Sequence, residues 1–178
     1  MGLGKSFLFS ILVFVGLNFI FTIVQYLLAP GGIGVLFSNI QAAPLMILYF
    51  LFGSIFILPS ISLEIAIPID LINPNIVDNP LLGIGYLVTP LIAAILAGRF
   101  GENKGQSFGG WSLTAVASAV ASLIGAFLSL TFRTTLGATY GWLLFEDLQI
   151  YTLIGIGCAV NIIFYGFFAL VVTKTEYY

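Results

Sequence analysis

A chain of 178 residues that is 60% apolar, with five basic side chains, seven acidic ones and no histidine, is too poor in charge to cover a water-facing surface. Its formal net charge of −2 and scattered basic residues give no electrostatic purchase on nucleic acid and no polybasic patch for anionic headgroups. With no histidine and one cysteine, Cys158, it lacks the ligand clusters of zinc, haem and non-haem iron sites, so no cofactor and no disulfide is expected.

Residues 6–63 contain no charged side chain, and the stretches 79–98, 105–132 and 148–173 repeat the pattern. A charge at mid-bilayer costs at least ~2.5–3.5 kcal/mol, so the charges mark the edges of membrane spans. Crossing ~30 Å of hydrocarbon takes about twenty apolar residues. The spacing predicts an all-α integral membrane protein, one transmembrane domain over 1–178, with about five helices near 6–28, 42–58, 81–100, 111–132 and 148–173. The runs are too long and continuous for the short alternating strands of a β-barrel.

The first span, Ser6–Leu28, follows Lys5 as a signal peptide would. It is longer than an h-region and ends in Ala29-Pro30-Gly31-Gly32 rather than a small-residue cleavage site, so an uncleaved helix is expected. Asn18 sits near its middle. Aromatic residues such as Phe7, Phe14, Phe21, Tyr49, Phe50 and Phe56 are spread all round the first two spans, a distribution that suits lipid or a protein neighbour equally.

After the second span, whose start lies between Ile33 and Ala42, the segment Pro59–Pro80 places Ile61, Leu63, Ile65, Ile67 and Ile69 at every second position. Period two predicts an extended, half-buried interfacial loop, and Pro68 confines it to an edge. These five residues are candidates for docking a neighbouring subunit.

In the third span, Pro90 removes a helical donor and predicts a kink beside Thr89. Ala94-x-x-x-Gly98 and Ala97-x-x-x-Gly101 offer small faces for close helix packing. Residues 101–106, Gly-Glu-Asn-Lys-Gly-Gln, have glycines but not the spacing of a phosphate-binding loop and read as a turn. The fourth span carries Ala117, Ala121, Gly125 and Ser129 at four-residue spacing, a ladder along one helix face, beside a parallel row of Thr114, Ser118, Ser122 and Ala126. Thr134–Phe145 is too short to cross and reads as an interfacial half-helix or shallow re-entrant loop. The fifth span holds Asn161 near its centre and Gly155-x-x-x-Ala159. An amide in hydrocarbon seeks a hydrogen-bond partner, which makes Asn18 and Asn161, with Thr89, the intramembrane polar candidates.

Five crossings put the two termini on opposite faces. Basic residues then divide two against three, which favours the amino terminus outside, in a prokaryotic cytoplasmic membrane. No nucleophile–base pair and no paired mid-span carboxylates occur, so catalysis is not expected. The leading expectation is a non-catalytic accessory subunit of a larger membrane complex, its partners being the lipid bilayer and other membrane subunits or further copies of itself. The alternative is a small-solute transporter or channel component built on Asn18, Thr89, Asn161 and the kink at Pro90.

Overall fold

The computed structural model describes residues 2–66, 80–139 and 147–174. Its elements are α1 (Gly2–Leu28), α2 (Ile33–Ala42), α3 (Met46–Phe52) with a 3₁₀ turn at Gly53–Ile55, α4 (Pro59–Ala66), α5 (Pro80–Phe100), α6 (Lys104–Leu128), α7 (Leu130–Thr139) and α8 (Asp147–Val172). No strand occurs among the described residues. The expected all-α membrane bundle is therefore the fold observed. Helices α1, α5, α6 and α8 are each long and apolar enough to cross a bilayer. The stretch Met46–Ile55 and α4 form a bent pair, turned by 105°, that qualifies as a fifth span only if taken as one broken element.

Contacts fix the directions of these helices. The Ser6 hydroxyl donates to the Ala97 carbonyl (2.7 Å), while Gly85 lies against the Phe21 ring, so α1 and α5 are antiparallel. Trp111 Nε1 donates to the Asn161 carbonyl (3.2 Å) and Gly166 faces Phe108, so α6 and α8 are antiparallel too. A short turn joins α5 to α6. One end of the bundle thus holds the start of α1, the α5–α6 turn and the end of α8; it is termed the near end. The far end holds the close of α1 and the starts of α5 and α8.

The bent pair enters and leaves at the far end. On the way in, Thr22 of α1 bonds the Phe50 carbonyl (3.4 Å) and the Tyr26 ring packs edge-on against Phe50. On the way out, the backbone at Ile65 and Ala66 presses against Gly83, close to the start of α5. A side chain at Gly83 would collide with that backbone, so the approach depends on glycine.

The structure corrects the extended-loop expectation over residues 59–66, which are helical. Pro59, Ser62 and Ile65 form the buried face at three-residue spacing. Pro59 opens the helix, where its missing N–H costs nothing, and the Ser62 amide and hydroxyl both bond the Leu58 carbonyl (2.9 and 3.2 Å). Of the docking candidates, Ile65 is 4% exposed against the protein's own core, Ile61 is half-buried and Leu63 is 45% exposed. Ile67 and Ile69 lie outside the described residues.

Small residues lie at some of the helix contacts. Ala94, Ala97 and Gly98 are buried, and Gly98 touches the Ala169 backbone of α8. On α6 the inward row is Thr114, Ser118, Ser122 and Ala126. The hydroxyls of the first three bond carbonyls one turn back on their own helix (3.1, 2.7 and 2.9 Å), which satisfies them without outside partners. Of the other row, Gly125 is buried under the Phe132 ring of α7, Ala121 and Ser129 are half-buried, and Ala117 is exposed. Gly155 has open space around it, and Ala159 is exposed. The half-helix expected after the fourth span begins directly at Leu130, with the Ser129 hydroxyl accepting from the Phe132 amide (3.2 Å). Tyr140 and Trp142 lie outside the described residues.

Candidate functional site

The helix that starts at Met46 stops half-way into the bundle. Gly53 and Ser54 tighten it into a 3₁₀ turn, and helical geometry resumes only at Pro59. Irregular backbone at membrane depth survives only where protein or trapped water satisfies its polar groups. Asn161, fully buried in the middle of α8, supplies this: its Nδ2 donates to the carbonyls of Ile55 (2.5 Å) and Ile57 (3.1 Å). One turn earlier on α8, Gly157 lets the Phe56 backbone lie directly against the helix. Asn161 is thus the amide that holds the break in place, with its own carbonyl anchored by Trp111.

The far-end side of the break is closed by aromatic rings. Tyr49, Phe56 and Phe132 pack with centroids 5.6–6.3 Å apart. The hydroxyls of Tyr49 and Tyr86 meet at 3.2 Å, which ties α3 to α5. Thr89 is one turn further along α5 than Tyr86, and Ser54 is just over one turn further than Tyr49, so both reach the level of the break. The turn Gly53–Ile55 packs on α5. Next to Thr89, Pro90 brings no N–H to the helix.

Several polar atoms at this depth are buried with no hydrogen-bond partner: Ser54 Oγ, Thr89 Oγ1, Asn161 Oδ1 and Asn18 Nδ2. The Asn161 amide cannot be turned over to repair this, because its nitrogen already serves two carbonyls. Towards the near end, Tyr165, one turn beyond Asn161 on the same face of α8, and Ser10 of α1 also bury unpartnered hydroxyls. Further on, Ser6 and Ser107 bond the Ala97 and Gly98 carbonyls. A succession of polar groups therefore runs from the break towards the near end of an otherwise apolar bundle. Each buried, unmet polar group costs about 1–3 kcal/mol, so several together call for an occupant.

The structure gathers the sequence candidates Thr89, Pro90 and Asn161 around one feature, and register along α1 places Asn18 near the same depth. Ser10, Ser54 and Tyr165 complete the set; the sequence offered for them only their polarity and, for Tyr165, the four-residue step from Asn161. Of the small-residue candidates, Ala94 is buried and Gly98 lies against the Ala169 backbone of α8, nearer the near end than the break. The carboxylates of Glu64 and Glu102 are exposed at the surface, away from the break. The chemistry on offer is neutral oxygen at mid-depth.

Comparison with protein-family models, with characterised proteins and with solved structures finds no match to this chain. The geometry of the break is therefore the ground for a functional reading.

Proposed function

We propose that this protein is a small-solute transporter or channel component, itself non-catalytic. The observation that supports the reading is the re-entrant break at residues 53–58, set among unpartnered polar groups at the middle of four membrane-length helices. Discontinuous helices at the bilayer midplane are where transporters place substrate and ion sites, because unwound backbone there offers polar groups that a continuous helix hides.

The same reading revises the orientation. With four crossings and a re-entrant pair, both described ends of the chain lie on one face. Lys5, Arg99, Lys104 and Lys174 then share the near end, and Arg133 alone among the basic residues lies on the far side. The positive-inside rule turns this four-to-one division into a cytoplasmic near end, with the amino terminus inside. Replacing Cys158 by alanine and placing single cysteines at Gly4 or Gly32 tests it: an impermeant thiol reagent added to whole cells is expected to label the Gly32 position and spare Gly4.

Reconstituted liposomes test the transport reading. Flux of a panel of ions and small neutral solutes above that of empty vesicles is expected, and Thr89→Leu, which removes a hydroxyl beside the break and adds bulk there, is expected to lower it severalfold. Absence of flux for the whole panel sinks the reading.

The accessory-subunit reading retains one observation. An apolar groove of about 410 Å³ opens on the outer surface between α6 and α8, lined by Val120, Leu123, Ile124, Phe127, Leu128 and Tyr151. If a foreign membrane subunit seats there, Phe127→Ala is expected to reduce its co-purification while flux stays unchanged.

A further inference from the structure

We infer that the break is a binding site for a monovalent alkali cation, held by Ser54 Oγ, Thr89 Oγ1 and Asn161 Oδ1. The inference rests on the transport reading for its purpose but not for its chemistry. All three side chains are fully buried, and none of the three oxygens has a partner within the protein. They come from three separate elements that meet at one level. Asn161 is pinned to the carbonyls on either side of Phe56, Ser54 immediately precedes Ile55, and α5 packs on that turn one helical step beyond the Tyr49–Tyr86 contact.

The atom types select the ligand. Asn161 Oδ1 can only accept, so a cation suits all three oxygens, whereas an anion could engage only the two hydroxyl protons. A divalent ion at this depth wants carboxylates to offset its desolvation, and those of Glu64 and Glu102 are exposed at the surface. A singly charged, hard cation asks least: neutral hydroxyl and carbonyl oxygens can replace its hydration shell, as carbonyl rings do in selective pores. The Asn18 amide also lacks a partner for its nitrogen, and a half-turn of that amide would present its oxygen instead. The aromatic closure by Tyr49, Phe56 and Phe132 keeps bulk water of the far end away from the site, so that access from that side requires the re-entrant pair to shift.

The test is thermal unfolding of the intact protein in mild detergent, in chloride salts of lithium, sodium, potassium, rubidium and choline at one ionic strength. One of the alkali ions is expected to raise the midpoint saturably over choline. Ser54→Ala and Thr89→Val each remove one oxygen with little change of shape, and each is expected to weaken the apparent affinity about tenfold or more, the effect of losing one bond to a charge. Equal midpoints in all five salts overturn the inference. A cation effect that both variants keep in full overturns it as well, since the ion then binds elsewhere. Liposome flux separates this from the broader reading: a cation shift without flux keeps the site and removes transport, whereas flux without a cation shift keeps transport and removes the site.

Discussion

Two interruptions of the helical backbone meet the same need by opposite means. At Gly101–Asn103, between α5 and α6, the capping bonds are local. Asn103 Oδ1 accepts the Gln106 amide (2.9 Å), Gln106 Oε1 accepts the Glu102 amide (3.3 Å), and Ser107 closes onto Gly98 and Asn103. This is a reciprocal cap of the kind that starts helices at a water-facing surface, with solvent available for whatever is left over. Residues 53–57 are buried, and the repair comes from Asn161, more than a hundred positions away in sequence. A surface break is finished by its own neighbours; a break at depth is finished by another helix, and therefore by the fold.

The strongest way to break that comparison is Asn161→Leu. It strands two backbone carbonyls in an apolar interior, at about 1–2 kcal/mol each, and is expected to lower stability by about 2–4 kcal/mol or to abolish accumulation of the folded protein. Denaturant titration in mixed micelles reads the difference. If Asn161→Leu unfolds like the unaltered protein, the break does not depend on its distant donor.

Glycines of α8 sharpen the contrast within one helix. Gly157 lies against the Phe56 backbone, and a side chain there has nowhere to go; Gly155, half a turn earlier, faces open space. Gly157→Leu is expected to cost about 2 kcal/mol or more, and Gly155→Leu less than about 0.5 kcal/mol, in the same titration. The reverse ranking would mean that α8 docks by its other face. On α6, Ser118→Leu is likewise expected to cost about 1–3 kcal/mol and Ala117→Leu to be close to neutral, because only the former points inward.

These pairs also mark how far the sequence could be read. Span positions were legible because charge is confined to span edges, a rule imposed by the bilayer on each segment separately. Asn161 stood out as an isolated amide in an apolar run, but its two acceptors did not, since nothing local distinguishes the carbonyls of Ile55 and Ile57. The alternation of Ile61, Leu63 and Ile65 pointed to extended structure, yet Pro59, Ser62 and Ile65 share a helical face just as well; the packing of α4 on Gly83 selects the helix. Two parallel rows of small residues on α6 were equally legible, and which one turns inward is settled by α1 and α8, not by α6. The doubling back of the bent pair was least visible of all, because a helix that stops half-way and one that crosses have the same composition. On the re-entrant reading proposed above, that reversal changes the side of every later loop and with it the reading of the basic residues.

The mildest intervention falls at the surface interruption. Asn103→Ala removes the side-chain oxygen that caps α6, leaving the Gln106 amide to water, which is close at hand. The expected loss is about 1 kcal/mol, the usual worth of such a cap, with Asn103→Ser or Asn103→Asp recovering most of it. Because Gln106 also reaches the Glu102 amide, Gln106→Ala on its own is expected to cost less than Asn103→Ala, and the double variant less than the two losses added together. A cost at Asn103 as large as that at Asn161 would show that the turn is shielded from solvent, and the distinction between the two interruptions would then lie in sequence distance alone, not in their access to water.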